Sequence, residues 1–407
     1  MFALVFRRIN TVMKLTNLTK KLASFEPDGL PFISLYLNAE ADDTGRDNYA
    51  VWLKKEFSEQ GKEYEENSFE SEKFAEAVDR INDYLENNVD PSANGIAVFT
   101  SVGDGGIFEA LQLEVAFPEN LFYVSDRPHI FPLIRSIKQN PKYAVLWADT
   151  NKADIYVFGG ENRIRTDHEA DDLVEQIQNR TTNRTQVGGW SQNRYQRHIE
   201  NFHLQHAKET VAELEELMRK KDIDNLFLCG DETTIMPILR PQLSKALEEK
   251  VIGTLNMSQY DSEDEIREKT GEAFAIEKAV RDQQQVERAF DAAKAAAGLG
   301  SLGIEATLKA LSNGQVQELV LNSNLDKIEY QPGRVEKILN DYAPGDDNSP
   351  VDTLPLVNEA AQIADLLVAK ALNSDADVIF IDDESLLEEC GGVAAVLRYN
   401  MNATANG

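Results

Sequence analysis

The stretch RTQVGGWSQNRYQRH, residues 184–198, gathers side chains that can meet phosphates and stacked rings. It holds the paired glycines Gly188 and Gly189, then Trp190, Gln192, Arg194, Arg197 and His198. From Gln176 to Ile199 there is no Asp or Glu, while Arg180 and Arg184 add to the positive charge. The 407-residue chain around this window has a formal net charge of −29. Arginines that no local acid opposes can track phosphates. Trp190 offers a ring face on which a base can stack. The glycines let the backbone itself approach a substrate closely. Arg180, Arg184, Trp190, Arg194, Arg197 and His198 are therefore the RNA-binding candidates. A plain surface loop with scattered arginines is the other reading of the same composition.

Other spacings carry less. GLGSLG (298–303) fits a Gly-x-Gly-x-x-Gly pattern, but the helical DAAKAAA precedes it where a dinucleotide loop needs a strand. It reads as a break between helices, and no cofactor is expected. His198, His203 and His206 share one helix without a His-Glu-x-x-His frame, so they read as surface or capping residues, not metal ligands. Asp149, Asp154 and Asp167 fall around hairpin and loop positions that favour Asp anyway. There is no nucleophile elbow and no Walker loop.

The elements that must position the loop form a mixed α/β pattern. PFISLYLNA (31–39) and GIAVFTS (95–101) read as strands, with a long charged helical stretch at 47–88 between them and a hairpin after the second. DRPHIFPLIRSI (126–137) starts with proline punctuation and turns helical. YAVLWAD and DIYVFGG (143–160) make a β-hairpin. A long helix follows the loop, from about 193 to 220. Its later half carries Leu204, Ala207, Val211, Leu214 and Met218 at 3–4 spacing. Its earlier half has an apolar side of Tyr195, Ile199 and Phe202, and a side bearing Arg194, Arg197, Asn201 and Lys208. Beyond 222, strands at 225–231 and 377–383 alternate with helices at 235–250, 262–297 and 356–374, and 303–325 reads as helix, turn and strand. The expected domains are 1–140, 141–221 and 222–407, the last an α/β sandwich.

Bulk properties narrow the function. No run reaches the roughly 18 apolar residues of a membrane span, so no membrane partner is expected. The opening MFALVFRRINTVMK has the wrong order of charge and apolar residues for a signal peptide, and Met13 is an alternative start. Cys229 and Cys390 lie far apart in apolar contexts and read as reduced thiols of a cytoplasmic protein, without a disulfide or zinc site. The net charge disfavours nucleic acid in general but leaves room for one basic surface.

Three motifs together resemble a known family. TQVGGWSQNRYQRHIENFHLQHAKETVAEL is similar to the central domain of archaeal and eukaryotic class-I peptide release factors and their pelota relatives. FDAAKAAAGLGSLGIEATLKALSNGQVQELVLNSNLD resembles a segment of their third domain, and CGGVAAVLRY (390–399) resembles its close. The first domain resembles theirs more loosely, through ISLYL, GIAVF and YVSDRPH. The bacterial branch, with release-factor-like peptidyl-tRNA hydrolases and Balon-like ribosome factors, is the nearest in appearance.

This resemblance implies three domains: an N-terminal one facing the decoding centre, a central RNase-H-like one carrying the loop, and a C-terminal one resembling kink-turn-binding ribosomal proteins. It implies a ribosomal partner (ribosomal RNA and P-site peptidyl-tRNA), and a translational GTPase such as elongation factor Tu at the C-terminal domain. It implies that Gly188 and Gly189 are the family's paired glycines. The family's glutamine follows them directly, whereas here Trp190 stands in that place and Gln192 comes two residues later. Either Gln192 reaches the ester from a longer loop, or the loop plugs the site without hydrolysis. No Asn-Ile-Lys-Ser-like stop-codon motif is present, which points to codon-independent action. Ribosome rescue by hydrolysis and non-hydrolytic hibernation are the two functional expectations.

Overall fold

The computed structural model describes residues 17–27, 30–40, 49–65, 67–91, 93–101, 106–113, 115–158, 173–178, 192–257, 261–296, 298–328, 333–342 and 359–400, with backbone alone at 173–178, 192–200 and 263. It is a mixed α/β protein, with three sheets among the described residues. The chain divides into two compact units, one of residues 1–140, 161–165 and 281–407, the other of residues 141–160 and 166–280.

The first unit contains two of the sheets. In the N-terminal lobe the order is β3-β2-β1-β4, all antiparallel: Phe108–Leu113, Gly95–Thr100, Phe32–Asn38 and Leu121–Ser125. Strand β1 is apolar on both faces, and its period of two sends alternate residues to different cores. Ile33, Leu35 and Leu37 pack under helices α1 (Tyr49–Gly61) and α2 (Phe69–Asn87). These two helices replace the single stretch read at 47–88. Asn67 takes a positive φ of 62°, and Ser68 then caps α2 by accepting from the Ser71 N–H.

Phe32 and Tyr36, on the opposite face of β1, enter a core that the C-terminal lobe completes. That lobe's sheet runs β10-β13-β11-β12: Gly300–Leu302, Val393–Leu397, Val316–Asn322 and Asp377–Ile381. The shared core takes Leu18 and Leu22 from residues 17–23, Phe131 and Ile134 from helix α3 (Phe131–Gln139), and Leu308, Leu319, Leu367 and Phe380 from the C-terminal lobe. Phe131 stacks edge-on against Phe380 with ring centroids 5.3 Å apart. Lys20–Asp375, Lys138–Asp377 and Lys327–Glu119 pair across the rim at 2.5–2.7 Å. The first and last parts of the chain, read as separate domains from sequence, thus have one interior.

The second unit has the five-stranded sheet β7-β6-β5-β8-β9: Leu173–Gln178, Lys152–Phe158, Tyr143–Ala148, Asn225–Cys229 and Val251–Leu255. The first three strands are antiparallel, and β8 and β9 add in parallel beyond β5. The sheet runs past the boundary read at 221/222, because β8 pairs with β5 in the register Tyr143↔Asn225. Helix α4 (Gln192–Lys221) covers one face, and the first half of α5 (Glu263–Lys294) covers the other. The stretch read as one helix at 235–250 is a series of short helical turns, and strand β9 follows it.

The later half of α5 packs on the C-terminal sheet through Val286 and Ala289. GLGSLG does separate two helices, as read, and within it Gly300–Leu302 forms a short edge strand against β13. A Cβ on Gly300 would lie 2.3 Å from the Ala293 backbone nitrogen, so glycine lets the strand lie against the end of α5. Gly303, at φ 85°, turns the chain into helix α6 (Ile304–Ser312), and α7 (Arg334–Tyr342) and α8 (Glu359–Asn373) complete the lobe.

The shared core makes a prediction. Phe131→Ala removes a fully buried ring and should cost about 3–5 kcal/mol in urea unfolding. Exchange probes in β1 and β11 should lose protection together. Loss confined to the N-terminal strands would show that the lobes have separate cores.

Candidate functional site

The candidate loop lies between β7, which ends at Gln178, and α4, which opens at Gln192. Arg180, Arg184, Gly188, Gly189 and Trp190 lie outside the described residues. Gln192 is the first residue of α4, and Arg194, Arg197 and His198 fall in its first two turns, where the backbone alone is described. The first turn contains no acid, so the partial positive charge of the helix N-terminus is left uncompensated by its own sequence.

The far end of α4 is fixed by packing. Ala207, Val211, Leu214 and Met218 are buried against Ala144, Leu146, Ala148, Ala153, Ile155 and Val157 of the sheet. Leu204, read into the same stripe, is half-buried. About 22 Å of helix, at 1.5 Å per residue, separates Gln192 from Ala207. Arg219, Lys220 and Lys221 in the last turn complement the negative helix end. Positions 194, 197, 201 and 208 follow helical spacing along one side, and Asn201 and Lys208 there are exposed.

His206 departs from the surface reading given to it. It is 2% exposed, one residue before the buried Ala207. Burial pushes its imidazole below the ordinary value, and the nearby Lys152 backbone and Asp149 carboxylate offset part of that. Neither ring nitrogen has a well-formed hydrogen bond. Its place next to the apolar stripe was the available signal. Thr210, one turn on, is fully buried with its hydroxyl also unpartnered.

The aspartates separate into different roles. Asp149 accepts the N–H groups of Asn151 and Lys152 at 2.6 and 2.7 Å, which closes the β5–β6 hairpin. Asp154 lies in the hairpin strand β6, as read, and is buried and pairs with Lys152 at 2.5 Å. Asp167 lies outside the described residues. Among the described residues no group of three or more His, Cys, Asp or Glu side chains is placed to hold a metal ion. Burial pushes the Cys229 thiol up to about 12, which suits packing rather than nucleophilic chemistry. Among the described residues no helix is long and apolar enough to cross a membrane.

Residues 128–275 match the family model described as bacterial archaeo-eukaryotic release factor family 10. The chain is 23% identical over 356 residues to peptide chain release factor subunit 1 of Thermococcus kodakarensis, covering 80% of this chain and 84% of that protein. It is 28% identical over 207 residues to eukaryotic peptide chain release factor subunit 1 of Saccharomyces cerevisiae, covering 45% of this chain and 46% of the yeast protein. Among solved structures it is similar to a model of ribosome-bound archaeal Pelota and ABCE1, at 12% identity and a TM-score of 0.40, over 95% of this chain and 94% of that one. Residues 128–275 thus resemble bacterial release factors of the archaeo-eukaryotic type, and the chain over most of its length is similar to peptide chain release factor subunit 1.

The buried imidazole gives the site a pH dependence. The folded chain resists protonating His206, so the unfolded chain takes the proton first as pH falls. The stability contributed by the neutral ring is complete above about pH 6.5 and declines below it. The urea midpoint should therefore fall between pH 7 and pH 5 more steeply in wild type than in His206→Gln. Equal slopes would show that His206 titrates as freely when folded as when unfolded.

Proposed function

We propose that this release-factor-like translation factor enters the ribosomal A site and hydrolyses P-site peptidyl-tRNA without reading a codon. The observation that carries this reading is the placement of Gln192 at the opening of α4, directly after the basic Gly-Gly loop. Hydrolysis needs a water held beside the ester carbonyl and donors for the oxyanion that forms. In this reading the Gln192 amide positions the water, and Gly188 and Gly189 admit the backbone, whose N–H groups can donate to the oxyanion. Arg180, Arg184, Arg194, Arg197 and His198 contact ribosomal RNA, and Trp190 stacks on a base. The ribosome supplies the surrounding RNA, so no metal or cofactor is invoked. The N-terminal lobe faces the decoding centre, and the C-terminal lobe meets a translational GTPase such as elongation factor Tu, in the cytoplasm.

A second reading is favoured by Trp190, which stands where the family has its glutamine. The loop then occupies the peptidyl-transferase centre without hydrolysis, and the protein is a hibernation factor.

Peptide release from purified ribosomes with peptidyl-tRNA in the P site and an empty A site separates the two. Hydrolysis predicts release by wild type and a loss of about a hundredfold or more in Gln192→Ala, with ribosome binding retained. Co-sedimentation without release by either protein selects the hibernation reading. Absence of ribosome binding in growing and in starved cells would sink both.

The arginines are tested by salt. Replacing Arg194 and Arg197 together by Gln should reduce the slope of log affinity against log salt by about 1.5, at roughly 0.7–0.9 for each phosphate that is no longer neutralised. An unchanged slope would remove these two residues from the RNA interface.

A further inference from the structure

Helix α3 begins in the shared core of the first unit without a cap of its own. Its N-cap residue is Ile130, which has no side-chain hydrogen bond to offer. The cap comes instead from the C-terminal lobe. Asp365 of α8 accepts the Ile130 and Phe131 N–H groups on Oδ1, at 2.8 and 2.9 Å. Its Oδ2 lies 2.6 Å from His129 Nδ1. One carboxylate thus takes three bonds from three consecutive residues of the other lobe.

His129 is held from the N-terminal lobe as well. Its N–H donates to Ser34 Oγ at 2.9 Å, and the Tyr36 hydroxyl donates to its carbonyl. The Tyr123 ring lies 4.0 Å from the imidazole, centroid to centroid. The imidazole is 2% exposed, yet its Nε2 has no hydrogen-bond partner. A buried polar network left partly unsatisfied carries the desolvation cost of its unpaired atom while the lobes are docked. The sequence marks the spot too: Asp365 is the one acid between Ala360 and Leu372, in a helix whose neighbours Ala364, Leu366, Leu367 and Val368 are buried.

We infer that Asp365 is a latch through which the C-terminal lobe sets the conformation of the Asp126–Ile130 connection and the first turn of α3 in the N-terminal lobe. The three bonds share one carboxylate, so displacing α8 breaks them together, which makes the contact a discrete two-state element. With the latch withdrawn, the Ile130 and Phe131 N–H groups lose their acceptor and His129 its charged partner. The first turn of α3 must then unravel or admit water. A partner that shifts α8 is felt at residues 126–131 for this reason, whatever that partner is. The coupling is independent of whether the chain hydrolyses peptidyl-tRNA.

Hydrogen exchange of the full chain tests it, with peptides covering 126–139, β1, β2 and β11. Asp365→Ala should speed exchange in 126–139 by about five- to tenfold, the scale of a lost helix cap, and leave β1, β2 and β11 within about twofold. Asp377→Asn, which removes only the exposed partner of Lys138, should leave 126–139 unchanged. His129→Gln keeps both backbone bonds to Asp365 and should leave the start of α3 protected. If Asp365→Ala does not fold, Asp365→Asn replaces it: its amide oxygen still caps α3, and exchange should rise only at 126–130. Unchanged exchange in 126–139 for the variant that folds would overturn the latch. An equal rise across β1, β2 and β11 would also overturn it, because Asp365 would then support only global stability.

Discussion

The apolar core between the two sheets of the first unit is the constraint on which that unit depends. Strand β1 has no polar face to give to water: Ile33, Leu35 and Leu37 go under α1 and α2, and Phe32 and Tyr36 go toward the C-terminal lobe. Separating the lobes would expose Phe32, Tyr36 and their C-terminal partners, and part Phe131 from Phe380. Fully buried Phe, Leu and Ile side chains are each worth about 1.5–3 kcal/mol. The exposed ion pairs at the rim add little by comparison, since such pairs contribute at most about 1 kcal/mol. Hydrophobic burial therefore holds the lobes together, and the polar contacts fix their register.

Those polar contacts lie where α3 meets the C-terminal lobe. Arg135 is buried, donates to the Ser323 carbonyl at 2.7 Å, and lies 3.7 Å from Asp326. Burial pushes the Asp326 carboxyl up, and the Arg135 guanidinium pulls against it. Burial likewise pushes the Tyr123 phenol up to about 12, with the Asp326 and Asp365 charges acting in the same direction. Ion pairs of this kind are poor sources of stability but costly to break on one side only.

In the second unit the same division of labour operates along one helix. The part of α4 from His206 onward is fixed by the sheet, and its opening turns carry the basic residues. The chain's large negative charge makes the local sign of those turns matter more. Unopposed arginines in an acidic protein focus attraction for an anionic surface on one segment.

The sequence by itself determined the local elements and the candidate loop. Short apolar runs marked β1, β2, β5 and β6, and 3–4 spacing marked the buried stripe of α4, because those patterns are local consequences of burial. The Gly-Gly loop and its arginines were visible as composition, and the release-factor likeness as ordered motifs. Tertiary structure alone decided the partners. The pairing of Asn225–Cys229 with β5, the merging of the N- and C-terminal cores, and the capping of α3 by Asp365 join residues far apart in the chain. A strand such as NLFLC records that it is buried but not which strand lies beside it. An acid within an apolar helix records that it needs a donor but not where the donor is. Strand β9 and the buried His206 escaped for the same reason: the contacts that define them are non-local.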